Sequence, residues 1–202
     1  MRWDRFFADL EDQLASEWEA ERAALDTEAE RLRLSRVALR DRLGVLASRE
    51  RTTSALAFEM SDGSTLHAEV SGVGADWVAL EPTQPLAGAV LAPLEGIVSV
   101  LVPHVDVLRS ARPVAERSSL SDRVTFGFVL RDLVRRRVGV GVTLAVGGRH
   151  LTGTIDRAGA DHFDLALHDS GQPRRTTDVT GHRLVPFAAV SWIRLDADAP
   201  LI

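Results

Sequence analysis

The chain states one pattern twice. "GTIDRAGADHFDLAL" (Gly153–Leu167) restates "AEVSGVGADWVAL" (Ala68–Leu80), so whatever one copy folds into, the other must fold into as well. In the first copy Leu66, Ala68 and Val70 alternate with Thr65, His67 and Glu69. In the second, Leu151, Gly153 and Ile155 alternate with His150, Thr152 and Thr154. Period-two alternation of this kind is the mark of a half-buried strand. Each strand runs into Gly-Ala-Asp (Gly74–Asp76 and Gly159–Asp161), a turn signal, after which Val78 and Leu80, or Phe163, Leu165 and Leu167, resume the alternation. Upstream, Leu56, Phe58 and Met60 precede Asp62-Gly63. Val138, Val140, Val142, Leu144 and Val146 precede Gly147-Gly148 in the same way, so each copy gains an earlier strand and a hairpin turn. Downstream, "VLAPLEGIVSVL" matches "LVPFAAVSWIRL", each a strand broken at a proline, Pro93 or Pro186.

The repeat reaches back into helices. Phe126, Val129, Leu130, Leu133 and Val134 lie on one helical face, with Ser119, Ser121 or Asp122 as N-caps and Arg135, Arg136 and Arg137 at the C-terminal end. "LRD" at Leu39–Asp41 answers "LRD" at Leu130–Asp132. Before the first copy, Trp3, Phe6, Phe7, Leu10, Leu14 and Trp18 form one apolar stripe, which Leu25, Leu32 and Leu39 continue. No Pro or Gly occurs before Gly44, so the pattern predicts one helix of about forty residues, roughly 60 Å long. Acidic residues crowd its polar face, which reads as a protein anchor, in a partner or folded back on the chain's own strands, rather than a membrane element.

Composition narrows the classes. With 202 residues and 45% apolar content the chain has enough material for one large domain or two small ones. No leader-like segment opens it, and its uncharged runs, Val138–Gly148 among them, are too short to span a bilayer, so a cytoplasmic protein without a membrane partner is expected. The absence of Cys closes thiol chemistry and disulfides. The net charge of −5 argues against bulk coating of nucleic acid, and only the last third, residues 119–202, is basic.

The stretch "RRRVGVGVTLAVGGRHLTGTIDRAGADHFDLAL" (Arg135–Leu167), closed by "AVSWI" (Ala189–Ile193), resembles the Hfq-type branch of the Sm-like fold over residues 119–195, and more faintly over 32–102. The resemblance implies an α+β, mostly β, architecture: two tandem Sm-like, SH3-like five-stranded barrels, each with an N-terminal helix, behind a long helical extension. The expected boundaries are 1–31 for the extension, 32–102 and 120–195 for the two units, 103–119 for a linker and 196–202 for a tail. It also implies an RNA-binding regulator or chaperone whose rim arginines, Arg131 and Arg135, Arg136 and Arg137, contact RNA. Where that family carries its base pocket, this chain has Pro186-Phe187-Ala188 and Pro93-Leu94-Glu95, and where Sm proteins carry an Asn it has Asp164 and Ala79.

Two functions therefore stay open. In the first, the arginines bind phosphate, Trp77 and His162 stack on bases, and Arg174 and Arg175 in the long loop add a clamp. In the second, the barrels have lost the pocket and form a protein-interaction scaffold, with Trp3, Phe6, Phe7, Leu10, Leu14 and Trp18 docking a partner. Under the second reading helix-end arginines answer the dipole, Asp76 and Asp161 cap their own turns, and Trp77 covers a core edge. A homo-oligomer, dimer or trimer, is expected from the barrels' free edges. No nucleophile elbow, phosphate loop, cofactor motif or metal-ligand spacing is present, so neither an enzyme nor a cofactor or metal protein is expected; His162 and His168 are read as outward-facing beside Asp164.

Overall fold

The computed structural model describes residues 2–48, 55–84, 88–112, 123–169, 175 and 177–196. It divides into two compact units, Met1–Ala38 and Leu39–Ile202.

The first unit is the helix α1, Arg2–Leu34. It is shorter than the forty-residue helix the sequence predicts. The Ser35 hydroxyl donates to the Leu32 carbonyl, and the amides of Arg36 and Val37 reach back three residues to Arg33 and Leu34. A serine that bonds its own backbone, followed by a narrowed last turn, ends the α-helix without Gly or Pro. The chain becomes helical again in α2, Leu39–Ala47, which buries Leu43 and Leu46.

The second unit is built on ten antiparallel strands: β1 (Leu56–Met60), β2 (Thr65–Val73), β3 (Trp77–Pro82), β4 (Val90–Pro93), β5 (Ile97–Leu101), β6 (Gly139–Leu144), β7 (His150–Ala158), β8 (His162–Leu167), β9 (Gly181–Pro186) and β10 (Val190–Leu195). The duplication is visible residue by residue. Val70 pairs with Leu80 and Ile155 with Leu165, and each long strand bulges at the next residue, between Val70 and Gly72 and between Ile155 and Arg157. A bulge at one place in both copies bends both long strands alike. Pro93 and Pro186 each lead into a single 3₁₀ turn, Leu94–Gly96 and Phe187–Ala189. α2 lies on β2, and α4 (Phe126–Arg136) lies on β7.

The strands do not close into two separate barrels. Their order is β5-β1-β2-β3-β4-β10-β6-β7-β8-β9, one open sheet whose edges are β5 and β9. In each half the last strand turns away at its proline to pair with the half's first strand, leaving the fourth strand unpaired on its far side. In the first half that side is taken by the other half: β4 pairs with β10, Leu91 opposite Ile193 and Val90 opposite Arg194, and the Leu195 amide donates to the Ala89 carbonyl. The two cores interlock across this seam. Leu91 and Ala79 belong to the cluster of Phe126, Leu130, Ile155, Phe163 and Ile193, while Trp192 packs against that of Leu43, Phe58, Met60 and Leu80.

Between the halves, α3 (His104–Ser110) occupies the start of the expected linker and is tied to α2, the Arg42 guanidinium donating to the Ser110 hydroxyl and the Val107 carbonyl. α4 begins at Phe126 with Thr125 as its N-cap, not with Ser119, Ser121 or Asp122, which lie outside the described residues.

Candidate functional site

Three places gather the residues singled out by the sequence: the C-terminal end of α4, the turn of the first half that meets its N-terminus, and the exposed side of α1.

At the end of α4 the arginines are not a row of independent cations. Arg135 Nη2 lies 2.6 Å from Asp132 Oδ1 and Arg136 Nε 2.8 Å from Asp132 Oδ2, so one largely buried carboxylate holds two guanidinium groups. Arg131 Nη1 donates to the Gly159 carbonyl at 3.4 Å. Arg137 closes the helix in the left-handed region, φ 55°, its amide on the Leu133 and Val134 carbonyls. That conformation normally selects Gly or Asn, so Arg137 is held there by the turn into β6.

At the other end of α4, Asp76 caps the helix rather than its own turn: its Oδ1 accepts from the Phe126 amide at 2.6 Å. The Ala75 amide and the Trp77 indole N–H both donate to the Val124 carbonyl, each at 2.9 Å. The β2–β3 turn of one half thus grips the helix of the other. Trp77 is spent on this contact. Its ring lies against Gly74 so closely that any side chain there would overlap it, and it packs half-buried on the second core. Replacing Asp76 by Ala should lower stability by about 1–2 kcal/mol, because a charge-assisted cap is lost and a helix-terminal amide is orphaned. Asp76→Asn should lose less. Thermal melts of the two variants check both.

The counterpart turn is built alike and accepts the Arg131 guanidinium at the Gly159 carbonyl, but its Asp161 carboxylate pairs with His162 in place of a helix amide. His162 lies over Gly159 as Trp77 lies over Gly74. Its Nδ1 is 2.8 Å from Asp161 Oδ1, and that hydrogen bond holds the fully exposed Asp161 carboxyl below its usual range. His162 is exposed and available for stacking. His168 is not the outward residue the alternation implies: it is buried, Nε2 2.8 Å from the Thr154 hydroxyl and Nδ1 2.9 Å from the Asp169 carbonyl. Ala166, two residues earlier on the same face of β8, is also buried, so the face is already covered within the strand. Arg175 is exposed, and Arg174 lies outside the described residues.

Between α4 and the first half's strands is a cleft of about 250 Å³ that the sequence does not announce. Trp77, Ala79, Leu91 and Leu133 form its apolar wall, with Glu81, Asp132 and Arg136 among its lining. It arises at the seam, so no single repeat unit encodes it. Among the described residues no group of three or more His, Asp or Glu is placed to hold a metal ion, and no helix is long and apolar enough to cross a membrane.

On α1, Phe7, Leu10, Leu14, Trp18, Leu25 and Leu32 are all exposed; Trp3 and Phe6 lie on the same helix, their side chains outside the described ones. Their spacing mixes eleven and seven: Trp3, Leu14 and Leu25, and Phe7, Trp18 and Ala29, recur every eleven residues, Trp18, Leu25 and Leu32 every seven, and Glu21 stands between Leu10 and Leu32. Both periods lie close to the turn of an α-helix, about 3.67 residues for eleven and about 3.5 for seven, so the apolar stripe drifts only slowly around the axis.

No family model, curated protein or solved structure matches this chain.

Proposed function

We propose that this chain is a protein-interaction scaffold in which two Sm-like halves, fused through their edges, carry α1 as the docking element for a helical partner protein with basic flanks. The exposed apolar stripe of α1 supports this reading best. Glu11, Glu17 and Glu28 border the stripe, and through the middle of the helix Asp9, Glu11, Asp12, Glu17, Glu19 and Glu21 face only Arg22. Charges beside an apolar seam choose the partner, and these select against a parallel second copy and for lysine or arginine. The common bulges, the Pro-3₁₀ breaks and the helix laid on each second strand support the Sm-like assignment. The cap-bound Trp77 and the carboxylate-held Arg135 and Arg136 speak for a lost nucleotide site.

The test is a labelled helical peptide with an eleven-residue apolar repeat, made with Lys or with Glu at the flanking positions, titrated into the full chain. The Lys peptide is expected to bind, the Glu peptide not, and Trp18→Ala to weaken binding at least tenfold. Equal binding of both peptides, or of neither, would overturn the assignment.

RNA binding is the second reading, favoured by one observation: Arg131, Arg135, Arg136 and Arg137 crowd one helix end around the single carboxylate of Asp132. It requires single-stranded RNA to bind in about 50 mM salt, to weaken steeply by about 200 mM, and to be lost in an Arg135/Arg136/Arg137→Ala variant.

A further inference from the structure

The cleft at the seam is left open by one repeat at positions where the other repeat carries large side chains. Just past the common bulge, Gly72 opposes Ala79 in the first half, whereas Arg157 opposes Asp164 at the equivalent place in the second. Gly72 and Ala79 both line the cleft. The backbone does not demand a glycine there. Its φ lies outside the left-handed region, and a Cβ built on it would meet only the Ala79 Cβ, at 3.8 Å, an ordinary contact. In this Gly72 differs from Gly74 and Gly153, where a ring or a carbonyl oxygen already takes the space. A side chain at position 72 could fill the cleft and add contacts across the seam, since protein interiors rarely keep voids larger than a water molecule. The space is kept open instead.

The lining combines an apolar slot with a surplus of carboxylates. Trp77 from β3, Leu91 from β4 and Leu133 from α4 make the slot. The Trp77 indole N–H is committed to the Val124 carbonyl, so its ring offers the slot only carbon and π surface. Asp132 already holds Arg135 and Arg136. Two residues along β3 from Ala79, Glu81 adds a carboxylate to the lining, and Glu69 stands directly opposite it on β2. Like charges that face each other across a strand pair repel, and the second half has Ala166 opposite Thr154 at that place. The first half has thus exchanged an oppositely charged pair for two small residues, and a neutral pair for two carboxylates. Counting Glu69, Glu81 and Asp132 against Arg135 and Arg136, negative charge exceeds positive by one around the cleft. An aromatic wall beside excess negative charge favours a cation with an apolar body.

We propose that the cleft binds a small organic amine: a single ring or branched aliphatic body held between Trp77, Leu91 and Leu133, carrying a primary ammonium group that the Glu81 carboxylate accepts. The volume of about 250 Å³ sets the size of the occupant, because drug-sized ligands fill pockets of about 300–1,000 Å³. Both halves contribute, β3 and β4 from the first and α4 from the second, so an occupant would tighten the seam as well as the slot. This inference stands apart from the scaffold reading, since it uses neither α1 nor its partner.

The experiment is a nuclear magnetic resonance titration of the full chain with three probes of nearly one size: phenethylamine, phenethyl alcohol and phenylacetate, which are cationic, neutral and anionic at neutral pH. The amine is expected to bind with Kd of about 1 mM or tighter and about fivefold or more tightly than the alcohol, and phenylacetate to bind more weakly than either. Gly72→Leu should weaken the amine at least tenfold by filling the slot. Glu81→Gln should bring the amine down to the affinity of the alcohol and leave the alcohol unchanged. Circular dichroism melts establish that each variant folds, and Gly72→Ala, whose Cβ sits at an ordinary contact distance, replaces Gly72→Leu with a smaller loss should the larger side chain unfold the chain. Failure of the wild type to bind any probe, or binding that Gly72→Leu leaves intact, would overturn the site. Equal binding of amine and alcohol, tighter binding of phenylacetate, or a preference for the amine that survives Glu81→Gln would overturn the ligand class.

Discussion

Phe126→Ala is expected to cost about 3–5 kcal/mol and to destabilise both halves of the chain at once. The ring is 2% exposed, meets Phe187 edge-on at 5.6 Å between centroids, and shares a core with Leu91 and Ala79 from the other half. Its amide is the one bound by Asp76. The cavity left behind would open at the seam, where neither half can collapse around it alone. Urea unfolding followed by far-ultraviolet circular dichroism and by tryptophan fluorescence should give coincident transitions, in the wild type and in the variant at lower midpoint. Two separated transitions that persist in a variant with Trp3 and Trp18 replaced by Phe, so that fluorescence reports only Trp77 and Trp192, would show that the halves are independent domains, contrary to the interlocked cores.

Gly153→Val should cost about 3 kcal/mol or more, the largest effect expected of any surface-distant glycine here. A Cβ at Gly153 would overlap the Ala166 carbonyl oxygen across the β7–β8 pair, an obstacle of backbone that cannot turn aside. The same place in the first half is Ala68, fully buried, and Ala68→Gly should cost only about 1 kcal/mol through lost packing and added chain entropy. The contrast, measured in one denaturation series, would show that the two copies have settled at different interstrand distances despite identical pairing.

What the sequence conveyed well was whatever one repeat unit decides by itself. Alternation in Leu66–Val70 and Leu151–Ile155 located the long strands, the Gly-Ala-Asp turns ended them, and Pro93 and Pro186 broke the last ones, because each is a local backbone preference. The pattern was silent wherever the halves meet. Nothing in Asp76 marks it as a cap for a helix fifty residues later, nor in Trp77 that its indole is committed to Val124, since both partners lie in the other copy. The open sheet was missed for the same reason: closure depends on which edge β4 finds, and β10 is remote in sequence. Alternation along β8 predicts an outward His168, but the face is already closed at Ala166, buried within the strand, because a strand's period does not show what covers its far end. The arginine cluster was legible as charge but not as ion pairs, since Asp132 falls on the side of α4 that turns inward.

The grip of the β2–β3 turn on α4 also sets an order of events. During synthesis the amino-terminal half emerges first, so Asp76 and the Trp77 indole leave the ribosome before Thr125 and Phe126, and the local β2–β3 turn precedes the helix that it caps. A circularly permuted chain beginning at residue 123 would reverse that sequence. It would carry every contact of the native protein, yet its first helix would have to wait, uncapped, for the turn made last.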